Sequence, residues 1–265
     1  MDRPPSPTPA VWRHIVTPPA PGAENMAFDE ALMDYTRATD AWVLRVYSWS
    51  HPTISFGRNQ TAAGKYDLDA IRSRGFGVVR RPTGGRAILH DREITYSVTA
   101  PIAAAGELRA SYDRINRVVL EGLRRLGVGA TIARPATKAQ NPGIAPCFNE
   151  PSAGELMLDG RKLAGSAQWR RDGVLLQHGS ILIDDDQSVL AELTIPRQDS
   201  IPAPATLREA LGHAPSVGEI ASALAESVRS LESVDPLPLV PDDAFRARAA
   251  ALVVRYLDDA WTWWR

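Results

Sequence analysis

Cysteine is almost absent from this chain: Cys147 is the only one among 265 residues. A lone thiol forms no internal disulfide, so the fold does not depend on an oxidising compartment. No stretch approaches the roughly 18 consecutive apolar residues of a membrane span. The N-terminal MDRPPSPTPAVW has no basic segment followed by an apolar one, and does not read as a secretory signal. Neither sign of charge dominates, with 30 basic against 31 acidic side chains. That removes the electrostatic reason to expect nucleic acid or a membrane surface as partner. Metal-ligand spacing is missing too, because His90 and His178 have no Cys or His close by in sequence. There is no Walker-type phosphate loop and no GxSxG nucleophile elbow. These absences leave a soluble, cytoplasmic protein without a metal as the expectation.

What is present is an ordinary globular balance, 44% hydrophobic and 23% charged, enough to build a core at this length. Residues 1–20 read as a flexible, Pro-rich tail and 21–265 as one domain with a helical C-terminal portion. The spacing of Phe28, Ala31, Leu32 and Tyr35 predicts a helix over 24–40. Aromatic and β-branched residues predict strands at 42–49 and 53–56, followed by a short helix at 67–74 that ends at Gly75. Residues 77–101 hold two or three β-rich pieces around Pro82-Thr83-Gly84-Gly85. The clearest helix is 111–126, with Tyr112, Ile115, Val119, Leu123 and Leu126 on one face. Asp159-Gly160 and Asp172-Gly173 are hairpin signals, because both central residues of a type I′ turn need positive φ. They predict a three-stranded antiparallel meander across 154–184. Ser216 with Glu219 is a capping box, and a last helix covers 242–257 after a loop marked by Pro236, Pro238 and Pro241. Mixed strands with peripheral helices give an α+β layer architecture.

Four features bear on chemistry, each with a plainer reading beside it. Cys147 follows a Pro/Gly-rich stretch, 133–146, rather than sitting in an apolar periodic element. It is either a reactive thiol on a loop or a small buried hydrophobe. Lys162 lies in the second strand of the meander, and the small residues after it, Ala164 to Ala167, leave room for a substrate against the backbone. The alternative is a solvated strand lysine. Strict alternation puts Lys162, Ala164 and Ser166 on one face and Arg161, Leu163 and Gly165 on the other. Gly84 and Gly85, with Arg80, Arg81 and Arg86 nearby, suit a carbonyl or an anionic group, since paired glycines let backbone N–H groups approach closely. They equally suit a plain hairpin turn. His90-Asp91 can orient a general base, with His178 as a further candidate, or these histidines simply satisfy hydrogen bonds at strand ends.

Read together, these segments resemble the lipoate-protein ligase and octanoyltransferase superfamily. RRPTGGRAILHDREITYSV, residues 80–98, is similar to its signature. GRKLAGSAQWRRDGVLLQHGSILI, residues 160–183, is similar to a second signature carrying the substrate-binding lysine, which Lys162 matches. NMAFDEAL at 25–32 and YSWSHPTISFGRNQ at 47–60 resemble its first helix and the strand pair that follows, and 256–264 its closing segment. The resemblance implies the biotin/lipoate ligase-like catalytic fold, a mixed and largely antiparallel sheet flanked by helices, with a hydrophobic tunnel for an acyl chain. The substrate-binding set expected from it is Arg80, Arg81, Gly84, Gly85, Arg86, Gly165, Ser166, Ala167 and His178. Arg80 and Arg81 are expected to face the acceptor or the carrier.

Ligases of the superfamily make an acyl-adenylate from ATP and need no cysteine, whereas transferases pass the acyl group through a cysteine thioester. Arg86 stands where ligases usually carry a third glycine, and His90-Asp91-Arg92-Glu93 where they read His-Asp-Gly-Asn. Cys147-Phe148 lies just upstream of the meander, where octanoyltransferases of the LipM type carry their nucleophile. The reaction this implies moves octanoyl from octanoyl-acyl carrier protein to a lysine of an apo lipoyl domain or glycine cleavage H protein. Cys147, Lys162 and His90 are the expected catalytic residues, and no cofactor is needed. The alternatives are an ATP-dependent lipoate or octanoate ligase, an octanoyl amidotransferase between lipoyl proteins, and a non-catalytic acyl-binding module.

Overall fold

The computed structural model describes residues 10–133, 154–184, 187–198 and 202–264. Strand β1 (Trp12–Val16), helix α1 (Gly22–Thr39) and strands β2 (Trp42–Tyr47) and β3 (Thr53–Phe56) come first. Helix α2 (Leu68–Ser73) leads to strands β4 (Gly77–Arg80), β5 (Ile88–His90) and β6 (Glu93–Pro101). Helices α3 (Ile102–Ala105) and α4 (Leu108–Arg125) follow, then strand β7 (Thr131–Ile132). The meander is β8 (Leu156–Leu158), β9 (Arg161–Arg171) and β10 (Val174–Leu182). Helices α5 (Ser188–Glu192), α6 (Leu207–Leu211) and α7 (Val217–Glu232) precede strand β11 (Leu237–Pro238) and helices α8 (Asp243–Leu257) and α9 (Asp259–Thr262).

One sheet has the order β11-β1-β2-β6-β10-β9-β8-β7, and a second has β4-β3-β5. In the large sheet, β2, β6, β10, β9 and β8 pair antiparallel in turn, while β1 runs parallel to both β2 and β11. This is the mixed, largely antiparallel, helix-flanked α+β class that the sequence predicts. Both faces are covered. On β2, Trp42, Leu44 and Val46 join a core shared with α4 and α7, while Val43 and Tyr47 join one shared with α1 and α8. A strand's period of two forces that split, and burial on both sides makes its sequence apolar except at Arg45, whose guanidinium is buried against Asp29 at 2.8 Å. Among the described residues no helix is long and apolar enough to cross a membrane.

Both Asp-Gly pairs turn as predicted. Asp159 and Gly160 have φ of 49° and 74°, and Asp172 and Gly173 of 49° and 80°, the signs a type I′ turn demands. Ser216 and Glu219 form the reciprocal capping box. Three expectations are corrected. Residues 12–16, assigned to a flexible tail, are strand β1, fixed between β2 and β11 with Trp12 buried against Trp42. The proline-marked loop before α8 contains β11, at the sheet's edge, where a proline's missing N–H leaves no ladder bond unmade. Pro82–Gly85 closes no hairpin, because β4 and β5 both pair with β3, on opposite sides of it, and not with each other.

Candidate active site

A cavity of about 610 Å³ is walled by α4, β9 and the 82–86 turn, a size suited to a small-molecule chain. Gly84 and Gly85 line one side, Leu108 and Tyr112 another, and Ser166 and Ala167 a third. Four of the expected substrate-binding residues therefore meet in one place. Tyr112, expected on the core face of its helix, instead lines the cavity and donates to the Ser166 carbonyl at 3.0 Å. Tyr96 holds the same residue from behind, hydroxyl to hydroxyl at 2.6 Å.

The 82–86 turn is anchored through its carbonyls. The Thr83 carbonyl accepts from the Arg58 N–H at 2.8 Å. Arg81 donates to the Gly84 carbonyl from Nε at 3.1 Å and Nη2 at 2.9 Å, and from Nη2 to the Arg86 carbonyl at 2.7 Å. The Gly85 carbonyl lies against Gly57, where a β-carbon would collide with it. Gly85 itself has a φ of 93°, which favours glycine. In a trans peptide the C=O and N–H point opposite ways. The N–H groups of Gly84, Gly85 and Arg86 are thus turned away from the anchors, and among the described residues they find no acceptor. Successive free N–H groups of this kind suit a carbonyl oxygen or oxyanion.

Lys162 is not a solvated lysine: it is 4% exposed, and its Nζ donates to Glu155 Oε1 at 2.6 Å. Sequence reasoning missed Glu155. The signal for it was the Asp159-Gly160 hairpin, which folds the residues before β8 back onto β9. The expected alternation along β9 is also corrected. The register shifts between Leu156 and Met157, so that Met157 faces Lys162 and Leu156 faces Ala164. A bulge of this sort re-aims side chains. Leu163 and Ala164 consequently enter the same core cluster, and Lys162 shares the face of Gly165, where a β-carbon would sit 2.9 Å from its Nζ. Gly165 admits the ammonium directly behind the two cavity-lining residues that follow it.

The remaining expected residues lie away from the cavity. Arg80 and Arg81 are buried, 0% and 5% exposed, and cannot face a protein partner as expected. Arg80 instead donates to the carbonyls of Gly57, Gln60 and Thr262 at 2.6, 2.8 and 2.9 Å, tying α9 to the second sheet. Arg86 is half-buried and contributes its carbonyl, not a cavity wall. His90 stacks on Trp49, with Nε2 2.8 Å from Ser55 Oγ and Nδ1 3.3 Å from Glu93. Its partner is not Asp91, which is exposed. Burial lowers its pKa, and outweighs the opposing pull of Glu93, so the ring is neutral with both nitrogens engaged. His178 bonds to Thr83 and Asp29. Cys147, and the 133–146 loop beyond Ala133, lie outside the described residues.

Residues 21–229 match the lipoyl protein ligase A/B catalytic domain. The chain belongs to that family. Relatives include the octanoyltransferase LipM of Kyrpidia tusciae, 39% identical over 95% of this chain and 98% of the relative. That of Staphylococcus aureus is 33% identical over 94% and 97%, and that of Symbiobacterium thermophilum 44% identical over 81% and 84%. Among solved structures, lipoate-protein ligase A bound with ATP superposes with a TM-score of 0.80 at 21% identity, covering 96% of this chain and 98% of that one. The bipartite lipoate protein ligase of Thermoplasma acidophilum gives 0.76 at 21% identity, covering 96% of each. These two likenesses establish a shared fold. Near full-length similarity to LipM proteins makes this member of the lipoyl ligase family an acyltransferase.

Proposed function

We propose that this enzyme transfers an octanoyl group from octanoyl-acyl carrier protein to a lysine of an apo lipoyl domain or glycine cleavage H protein, through a thioester on Cys147. The observation that carries this reading is the cavity itself. It is bordered by the free N–H groups of the glycine turn, with the buried Lys162 ammonium behind its Ser166–Ala167 wall. The Cys147 thiolate attacks the donor thioester, the carrier thiol leaves with a proton, and an octanoyl thioester remains on the enzyme. The neutral amine of the acceptor lysine then attacks that thioester. It loses a proton as the Cys147 thiol departs, and an amide is left. Exchange between thioesters is near neutral and amide formation is downhill, so no ATP is consumed.

At pH 7 only a few per cent of an ordinary thiol is thiolate. A nearby ammonium raises that share, the role assigned here to Lys162. The turn's N–H groups are assigned to the oxyanion formed at each addition. His90, with both ring nitrogens occupied, is given no proton-transfer step. The reading is tested by mixing enzyme, octanoyl-acyl carrier protein and an apo lipoyl protein without nucleotide. Octanoylated acceptor is expected. Modification that requires ATP and free octanoate would replace this reading by a ligase, and transfer from an octanoylated lipoyl protein alone would replace it by an amidotransferase.

A further inference from the structure

Behind the 82–86 turn lies a set of buried polar groups that the transfer chemistry does not use. Two chains of hydrogen bonds run through it, each starting at a buried carboxylate. In the first, His178 Nδ1 is 3.2 Å from Asp29 Oδ2, and His178 Nε2 is 2.5 Å from the Thr83 hydroxyl. In the second, His90 joins Glu93 to Ser55, Arg81 Nη1 donates to Ser55 Oγ at 3.0 Å, and Arg81 grips the carbonyls of Gly84 and Arg86. Asp29, Thr83 and Ser55 are fully buried and none of these side chains lines the cavity.

The carboxylates are themselves fixed. Asp29 accepts from Arg45 Nη1 and Ser97 Oγ at 2.8 Å and from the Tyr47 hydroxyl at 3.0 Å. Burial alone would raise its pKa, but Arg45, with His178, outweighs that and holds the carboxyl below its ordinary value. The Asp29 carboxylate meets His178 Nδ1 and so aims Nε2 at the Thr83 hydroxyl. Glu93 accepts from Thr95 at 2.7 Å and Ser180 at 2.5 Å. Burying two carboxylates and two imidazoles is costly where apolar packing would serve. Stability alone gives no reason for both chains to end on one turn.

We infer that Asp29–His178–Thr83 and Glu93–His90–Ser55–Arg81 are two positioning relays that hold the turn's carbonyls inward, and so keep the N–H groups of Gly84, Gly85 and Arg86 aligned on the acyl oxyanion. The catalytic part of this inference rests on the transfer reading above; the ordering of the turn does not. Thr83→Val removes the hydroxyl and keeps the shape, whereas Thr83→Ser keeps the hydroxyl. With folding checked by circular dichroism, Thr83→Val is expected to lower kcat about 10- to 100-fold with donor KM within about twofold. Thr83→Ser is expected to stay near wild type. Ser55→Ala interrupts the second relay and serves in its place should Thr83→Val fail to fold. In either interrupted variant, 15N relaxation should show the amides of Gly84, Gly85 and Arg86 more mobile than in wild type. Three results would overturn the inference: a folded Thr83→Val enzyme with kcat within twofold of wild type, a raised KM with unchanged kcat, or turn amides as ordered as before. The amide measurement needs no reaction, so a wild-type enzyme inactive as a transferase would sink the transfer reading while the relaxation data still decide whether the relays order the turn.

Discussion

Gly57→Ala isolates the glycine turn from every side chain of the site. Gly57 follows β3, and its carbonyl is held by Arg80 Nη1 at 2.6 Å and by the Gln60 N–H at 3.0 Å. A β-carbon added there falls on the Gly85 carbonyl oxygen, overlapping an ordinary carbon–oxygen contact of about 3.3 Å by more than about 1 Å. Residue 57 is tied to Arg80, so the turn has to give way. Overpacking of this kind costs about 1–3 kcal/mol of stability, which lowers the melting temperature by roughly 2–12 °C in a domain of this size. A displacement of about 1 Å at a group that meets the transition state costs about 100-fold in rate, or roughly 2.7 kcal/mol of barrier. The assay is octanoyl transfer at saturating donor, read by mass spectrometry, with thermal unfolding measured on the same sample. A folded Gly57→Ala enzyme that turns over within threefold of wild type would refute the assignment of the turn's N–H groups to the oxyanion.

Lys162→Ala removes the ammonium that donates to the buried Glu155 at 2.6 Å, and is expected to destabilise the fold by about 3–5 kcal/mol in urea unfolding. Adding Glu155→Gln should restore most of that stability while transfer stays down roughly 100- to 1,000-fold; recovered activity in the double variant would remove Lys162 from the chemistry. Gly165→Ala pushes a methyl against the end of Lys162. It should impair transfer while leaving the unfolding free energy within about 1 kcal/mol, and unchanged turnover would show that the ammonium's position is immaterial. Asp29 titrates below its unfolded value of 3.8 when folded. Its ionised form therefore stabilises fully above that value, and the contribution is lost as pH falls through the lower, folded pKa. The stability gap between wild type and Asp29→Asn, measured in urea, should narrow as pH is taken below about 4. A gap that widens there would contradict the depressed pKa.

Local rules carried the reading of the chain wherever the determining groups are close in sequence. The Asp-Gly pairs set the meander because φ at two adjacent residues decides a type I′ turn. Apolar spacing located α1 and α4, and the capping box marked the start of α7. What escaped was decided by contacts far apart in sequence. Asp29 and His178 are separated by 149 positions, and nothing local to either announces the other. Arg80 looks like a ligand for an anion until β3 inserts between β4 and β5 and turns its guanidinium inward onto four carbonyls. Gly57 sits in the 47–60 segment, but its need for a missing side chain exists only because the 82–86 turn folds onto it. The β8–β9 register shift broke the alternation argument at Lys162, since a bulge depends on the partner strand as much as on its own residues.

The central claim is the thioester on Cys147, and intact-protein mass spectrometry tests it most directly. Enzyme is mixed with octanoyl-acyl carrier protein, without ATP or acceptor, beside a Cys147→Ser control. The account predicts one octanoyl adduct on the wild type and none on the control. Hydroxylamine should remove the adduct, and an added apo lipoyl protein should take it up. An unmodified wild type that still octanoylates the acceptor, or a Cys147→Ser enzyme of normal activity, would contradict it.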